Sequence, residues 1–208
     1  MKKMKCLIIS IVIIIIVAFS YLVYKKVTEK KVDPQTGYTI IIGSEVDNFN
    51  GVSVYYNGSV GTVIGRNLAS DGYNLGLKYQ CVEFVKRYYY EYFNHKMPDS
   101  YGHAKDFFDD KIQDGKMSPK RNLIQYTNGG ISKPKVSDLL IFGPTTFNRY
   151  GHVAIISGVT DEQIEIVQQN PGPYTSSRVT YPLEKIDGKW KIKNNRVLGW
   201  LRKEDKDN

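Results

Sequence analysis

Cys81 and His152 are the residue types from which a sulfur nucleophile and its proton acceptor are made, and they stand 71 residues apart in a chain of 208. Cys81 opens "CVEFVKRYYYEYF", where Cys81, Phe84, Val85, Tyr88, Tyr89, Tyr92 and Phe93 recur at helical spacing. That pattern predicts a helix over about 79–94 with the thiol in its first turn, facing unpaired backbone N–H groups and the positive end of the helix dipole. Both favour thiolate over thiol, and the same N–H groups would suit an oxyanion formed when sulfur attacks a carbonyl. A small residue on an apolar helix face is the alternative reading of the same cysteine.

His152 follows Gly151 in "RYGHVAIISG" and opens an apolar strand, where a glycine permits close approach of another group. His95, at the end of the helix, and His103, opening a shorter helical pattern to Gln113, read as surface histidines. A catalytic imidazole needs a third group to hold its tautomer. In "EIVQQN" the period of two places Gln168 and Asn170 on one face of the next strand, within reach of His152. Tyr79 and Gln80 precede the cysteine and are candidates for the oxyanion or substrate site.

These residues must be positioned by an α+β domain. Strand-like runs at 122–127, 138–142, 152–157, 163–169, 189–193 and 196–201 follow the helical half, separated by turns. The expected architecture is N-terminal helices packed on an antiparallel β-meander, preceded by one transmembrane or signal helix. "VSVYYNG" at 52–58 reads as a strand ending in a turn, and the Gly- and Asn-rich stretch through Gly76 as loop. The expected division is an anchor or signal segment at 1–24, a juxtamembrane linker at 25–48, the catalytic domain at 49–202 and a charged tail at 203–208.

The start of the chain sets Lys2, Lys3 and Lys5 before an uncharged run of 19 residues from Cys6 to Tyr24, the length needed to span a bilayer core as a helix. Residues 7–24 are therefore expected to contact the membrane. Ala18-Phe19-Ser20 also fits a signal-peptidase site, so the run is either an uncleaved anchor or a signal peptide, and both place the domain outside the cytoplasm. Cys6 lies at the edge of that run, which leaves Cys81 alone in the body of the protein. An unpaired thiol in an oxidising compartment is a liability unless it is buried or used.

The composition, 41% hydrophobic and 24% charged, is that of a folded globular chain and excludes a disordered one. The net charge of +8 suits anionic surroundings such as a phosphate-rich wall or a lipid surface, or solubility alone. Nucleic-acid binding is not expected, because the basic residues are scattered and no reading motif accompanies them. No Gly-rich turn lies between strand and helix in a nucleotide-binding pattern.

Taken in order, "YQCVEFVKRYY", "GHVAII", "IEIVQQN" and "VLGW" resemble the CHAP family of cysteine amidases and peptidases, most closely the amidase domain of glutathionylspermidine synthetase/amidase enzymes. The resemblance runs from about Phe49 to Arg202. It implies a papain-like fold with Cys81 as nucleophile and His152 as general base and then acid. It also implies hydrolysis of an amide in bacterial wall peptides or between glutathione and a polyamine. Relatives usually carry Glu where this chain has Gln168; a neutral amide oxygen still accepts an imidazole N–H, and Asn170 fits the family's additional polar position. Some members bind calcium just before the cysteine, but in "SDGYN" only Asp71 is acidic, so no required metal or other cofactor is expected. Asp138, in a turn where relatives have Gly in place of Ser137, reads as structural. The expectation is a monomeric amide hydrolase of the wall, with a polyamine-amide hydrolase or an inactive wall-binding module as alternatives.

Overall fold

The computed structural model describes residues 2–28, 39–172 and 175–204, with side chains on the first helix described from Ile9 to Leu22. The chain divides into two units, Met1–Ile41 and Ile42–Asn208. In the first, α1 (Lys2–Thr28) is the helix expected from the apolar run, and its side chains from Ile9 to Leu22 are exposed. Among the described residues no helix is long and apolar enough to cross a membrane. The expected crossing therefore has no support there. Met1 of the expected anchor, residues 29–38 of the expected linker and the tail beyond 204 lie outside the described residues.

The second unit begins earlier than Phe49. β1 (Glu45–Phe49) pairs with β2 (Val52–Tyr55) in a hairpin, so the last residues of the expected linker belong to the fold. β3 (Arg66–Leu68) and β4 (Asn74–Leu77) form a second hairpin in the stretch read as loop. α2 (Cys81–Phe93) follows, burying Phe84, Val85, Tyr88 and Tyr89 completely, and stops where Asn94 turns left-handed at φ 49°. The helix expected over 103–113 is a single 3-10 turn at Ala104–Phe107. Its continuation is prevented by Gln125, whose side-chain amide takes the N–H of Asp109 at 3.0 Å and the carbonyl of Asp109 at 2.8 Å.

Eight strands form the main sheet: β5 (Lys116–Ser118), β6 (Leu123–Thr127), β7 (Leu139–Phe142), β8 (His152–Val159), β9 (Gln163–Val167), β10 (Arg178–Ile186), β11 (Lys189–Ile192) and β12 (Val197–Arg202). β7 to β11 are a meander, as expected, but β12 returns to insert between β6 and β7. β10 and the short β5 are the strands of this sheet that sequence patterning misses; Pro182 interrupts β10, and of its residues Leu183 alone is buried.

The sheet curls until its ends meet. Gly129 donates to the carbonyl of Trp190 and Trp190 to that of Gly130, each at 2.8 Å, joining the end of β6 to β11. Curling gives the sheet two cores. Alternation along β8 sends Val153 and Ile155 to the α2 side with Leu139, Ile141 and Val167, and sends Ala154 and Ile156 inside the curl with Leu140, Phe142, Ile166 and Trp200.

Two contacts hold β12 in the centre. Buried Asp138 accepts the N–H of Lys135 at 2.7 Å and is paired with Arg202 at 2.7 Å, the structural role expected of it. Gly199, in "VLGW", lies so near β6 that a Cβ there would collide with the carbonyl of Tyr126 and stand 2.8 Å from a ring carbon of Phe108. Gly199→Ala is accordingly expected to cost about 3 kcal/mol or more of unfolding free energy, read from urea denaturation, since neither obstacle is a flexible chain end.

Candidate active site

Gln80 is the N-cap of α2 and Cys81 its first residue. The Cys81 sulfur lies within hydrogen-bonding reach of the backbone N–H groups of Cys81 and Val82, as a first-turn thiol should, and of Val153 in β8. The thiol thus rests against the strand at the residue that follows His152. Cys81 forms no disulfide.

His152 takes its place from Gly151, which has φ 75°. A Cβ on Gly151 would come within 2.6 Å of the carbonyl of Phe142 and 3.2 Å of the backbone nitrogen of Lys105, so only glycine lets the chain enter β8 here. His152 then pairs in register with Phe142 of β7, and the two rings are 5.8 Å apart.

The imidazole is oriented by Gln168, whose Oε1 lies 2.9 Å from His152 Nε2. The other end of that amide donates from Nε2 to the carbonyl of Ser176 at 3.0 Å. A backbone carbonyl only accepts, so it selects the NH2 end of Gln168 and turns Oε1 to the ring. His152 Nε2 must then carry the hydrogen, and the lone pair of the neutral ring is on Nδ1. Gln168, expected on the strand face, stands one residue beyond β9 and is nearly fully buried.

Burial is the largest influence on both partners. It pushes the Cys81 thiol up from its ordinary value, against the backbone N–H groups that pull it down. It also holds His152 down at about 4, with the hydrogen bond that the ring donates to Gln168 opposing and the charge of Arg196 adding to the effect. The depressed thiol expected from the helix terminus alone is therefore corrected: desolvation outweighs the first-turn N–H groups. Both shifts favour the uncharged forms, a thiol and a neutral imidazole.

The other expected residues support the site at one remove. Asn170 has φ 54° and donates to the carbonyl of Val60 at 3.0 Å and to Gln80 Oε1 at 2.8 Å; its described bonds do not reach the imidazole. Strand alternation fails because the strand has ended. Gln80 donates both side-chain hydrogens, to Thr62 O at 2.8 Å and Val60 O at 3.2 Å, so it ties down the 59–62 loop and has no N–H left for an oxyanion. The N–H of Tyr79 is taken by Asn57 Oδ1 at 3.0 Å, and its ring packs on Tyr55. This leaves the N–H groups of Cys81 and Val82 as the donors for such a site.

Gln169 was not singled out by sequence, yet it is completely buried and bonded to Gln80, Glu83, Arg87 and Tyr55. Its only signal was an amide between two others. His95 is buried, not a surface residue, with Nε2 2.9 Å from the carbonyl of Arg121. His103 packs on the Tyr150 ring at 4.7 Å, beside the segment leading to His152. Asp71 is committed to Lys96 at 2.5 Å and to the N–H of Tyr73, and no group of three or more His, Cys, Asp or Glu is gathered for a metal among the described residues.

The family model described as CHAP domain matches residues 71–170. A trypanothione synthetase of Crithidia fasciculata is 30% identical over 147 residues, which are 66% of this chain and 22% of that protein. The chain thus spans about a fifth of the length of that curated relative. Among solved structures, the wild-type endolysin LysIME-EF1 aligns over 69% of this chain and 60% of its own, at 23% identity and a TM-score of 0.37.

The low affinity of His152 for a proton makes stability depend on pH in a definite direction. The native ring stays neutral down to about 4, while an unfolded histidine protonates near 6.5, so acid favours the unfolded chain across that interval. Wild type is expected to lose up to about 3 kcal/mol more than His152→Gln between pH 7 and pH 4, measured by denaturant unfolding.

Proposed function

We propose that the chain, whose residues 71–170 match the CHAP domain model, is a cysteine-dependent amide hydrolase acting through an acyl-enzyme, with Cys81 as nucleophile and His152 as its acid–base partner. The observation that carries this reading is the Ser176–Gln168–His152 relay, which leaves the imidazole neutral with its lone pair on Nδ1, beside a free thiol on a helix terminus. Nδ1 takes the thiol proton as sulfur attacks the amide carbonyl, so the nucleophile is generated during attack. The N–H groups of Cys81 and Val82 receive the oxyanion. Collapse breaks the C–N bond as Nδ1–H protonates the leaving amine, giving a thioester. Water attacks the thioester, Nδ1 takes its proton, and sulfur departs with that proton to restore the thiol and release a carboxylic acid. Gln168 Oε1 stabilises each transient imidazolium by accepting Nε2–H.

Gln168 in place of Glu fits its surroundings and does not indicate lost function. A carboxylate there would set one oxygen 3.0 Å from the Ser176 carbonyl, acceptor against acceptor. This counts against a purely wall-binding module.

For the substrate we favour a wall peptide over a polyamine amide. The segments bonded to or flanking the site contain Lys78, Lys105, Arg149 and Arg196. Against them stand Asp106, which keeps its charge while accepting the N–H of His103 at 2.7 Å, and Glu83, which is paired with Arg87, so the border is basic on balance. A polyamine would bring like charge into that border, whereas peptides ending in carboxylates would not. The identity with a trypanothione synthetase is what favours the second reading. Export by the apolar start of the chain, as an anchor or a cleaved signal, belongs to the first; its support is the basic N-terminus followed by the uncharged run Cys6–Tyr24.

The test is mass spectrometry of products after the full-length protein is offered purified muropeptides together with glutathionylspermidine. Muropeptide cleavage by wild type and a fall of about 1,000-fold or more in Cys81→Ala are expected. Consumption of glutathionylspermidine instead would select the polyamine reading, and cleavage of neither by folded protein would reject hydrolysis of both substrates.

A further inference from the structure

We propose that Gln169 is a positioning residue: it sets the first turn of α2, and with it the Cys81 thiol, at a fixed place relative to the imidazole of His152. The proposal rests on the reading of Cys81 and His152 as nucleophile and base. Gln168 and Gln169 are consecutive and buried, and each amide spans a different half of the site. Gln168 holds the ring. Gln169 donates from Nε2 to the carbonyl of Gln80 at 3.1 Å and to Glu83 Oε2 at 2.8 Å. Its Oε1 accepts the N–H of Tyr55 at 2.8 Å and Arg87 Nη2 at 3.4 Å.

The Gln169 amide is fully used, and its orientation is forced at both ends. The Tyr55 N–H only donates and the Gln80 carbonyl only accepts. The Gln80 carbonyl is also the first acceptor of α2, receiving the N–H of Phe84 at 3.2 Å. Moving that carbonyl moves the peptide that carries the Cys81 N–H. Glu83, completely buried, extends the network by accepting Arg87 Nε at 2.7 Å and Asn67 Nδ2 at 2.8 Å. β2, β3, α2 and the end of β9 are therefore referenced to one side chain, a single peptide bond from the residue that orients the base. Misplacement of reacting groups by about 1 Å costs on the order of 100-fold in rate, so such a reference has kinetic consequences beyond stability.

A residue that merely stabilises the fold would behave differently from one that acts through the Gln80 carbonyl, and exchanging the two buried groups separates these roles. In Glu83→Gln/Gln169→Glu, amide and carboxylate again face each other with the charge beside Arg87 preserved. The Gln80 carbonyl, however, meets a carboxylate oxygen in place of an N–H. The full-length wild type, Gln169→Leu, the double variant and His152→Ala are compared by melting temperature, by the rate of Cys81 alkylation with iodoacetamide at pH 7, and by kcat and KM on the amide that wild type cleaves. Gln169→Leu is expected to lower Tm, alkylation and kcat, the last two about 10-fold or more, with KM changed less than about 3-fold. The double variant keeps the buried charge paired with Arg87 but sets a carboxylate against the Gln80 carbonyl, so it is expected to melt above Gln169→Leu and below wild type and to remain about 10-fold or more slow in both rates.

Recovery of the rates in the double variant would overturn the proposal, as would Gln169→Leu reacting like wild type or a double variant that melts no higher than Gln169→Leu. Should Gln169→Leu not fold, the double variant decides alone by its rates. Alkylation needs no substrate: if wild type hydrolyses neither amide while the alkylation rates differ as stated, the function proposed above fails and the role of Gln169 stands.

Discussion

The carbonyl of Ser176 can accept a hydrogen bond but cannot donate one, and the chemistry of the site follows from that. It selects the NH2 end of Gln168, which turns the amide oxygen to His152 and puts the ring hydrogen on Nε2. Ser176 is held in turn by its neighbours. Gln168 donates its backbone N–H to the Ser177 carbonyl at 2.9 Å, and Arg178 pairs with Asp47 at 2.8 Å and with Glu165 at 3.1 Å. Asp47 lies in β1, so the first hairpin braces the Gln168–His152 contact from a distance. Residues 45–48 are thus part of the site's scaffold and not tether.

Burial decides the state of the pair that this scaffold holds. A thiolate–imidazolium pair would need both ions stabilised in a desolvated place, with a neutral amide and the charge of Arg196 as surroundings on the histidine side. The thiol is raised and the imidazole lowered, so each shift favours the uncharged form. In the function proposed above, the proton rests on sulfur and passes to Nδ1 as sulfur attacks. A thiol of this kind is also protected from adventitious oxidation, since thiolate is the reactive form.

The candidate residues that the structure brings together were legible in the sequence because each carries a local signal: a cysteine at the start of an amphipathic helix, a glycine–histidine pair at the start of a strand, and a polar residue read as the end of the next strand. The helix, and six strands of the curled sheet, were legible by their periodicity. What was not legible depends on contacts between distant segments. The helical spacing of Ala104, Phe107, Phe108 and Ile112 is real, but Gln125 captures the Asp109 backbone and ends the helix after one turn. β12 inserts between β6 and β7, which no local pattern encodes. Asn170 was misplaced by extending strand alternation past Val167 into a left-handed residue. Gln169 escaped notice because its four partners come from two stretches of chain, α2 with its cap and β2, each more than 80 residues away in sequence.

The central claim is that His152 is a neutral imidazole bearing its hydrogen on Nε2 in the resting protein. Long-range nitrogen–proton correlation of 15N-labelled full-length protein at pH 7, with the ring assigned through His152→Gln, reads the tautomer directly. The account predicts a protonated Nε2 and an unprotonated Nδ1 with the shift of a free lone pair. A hydrogen on Nδ1 with Nε2 bare, or an imidazolium with both nitrogens protonated, would contradict it.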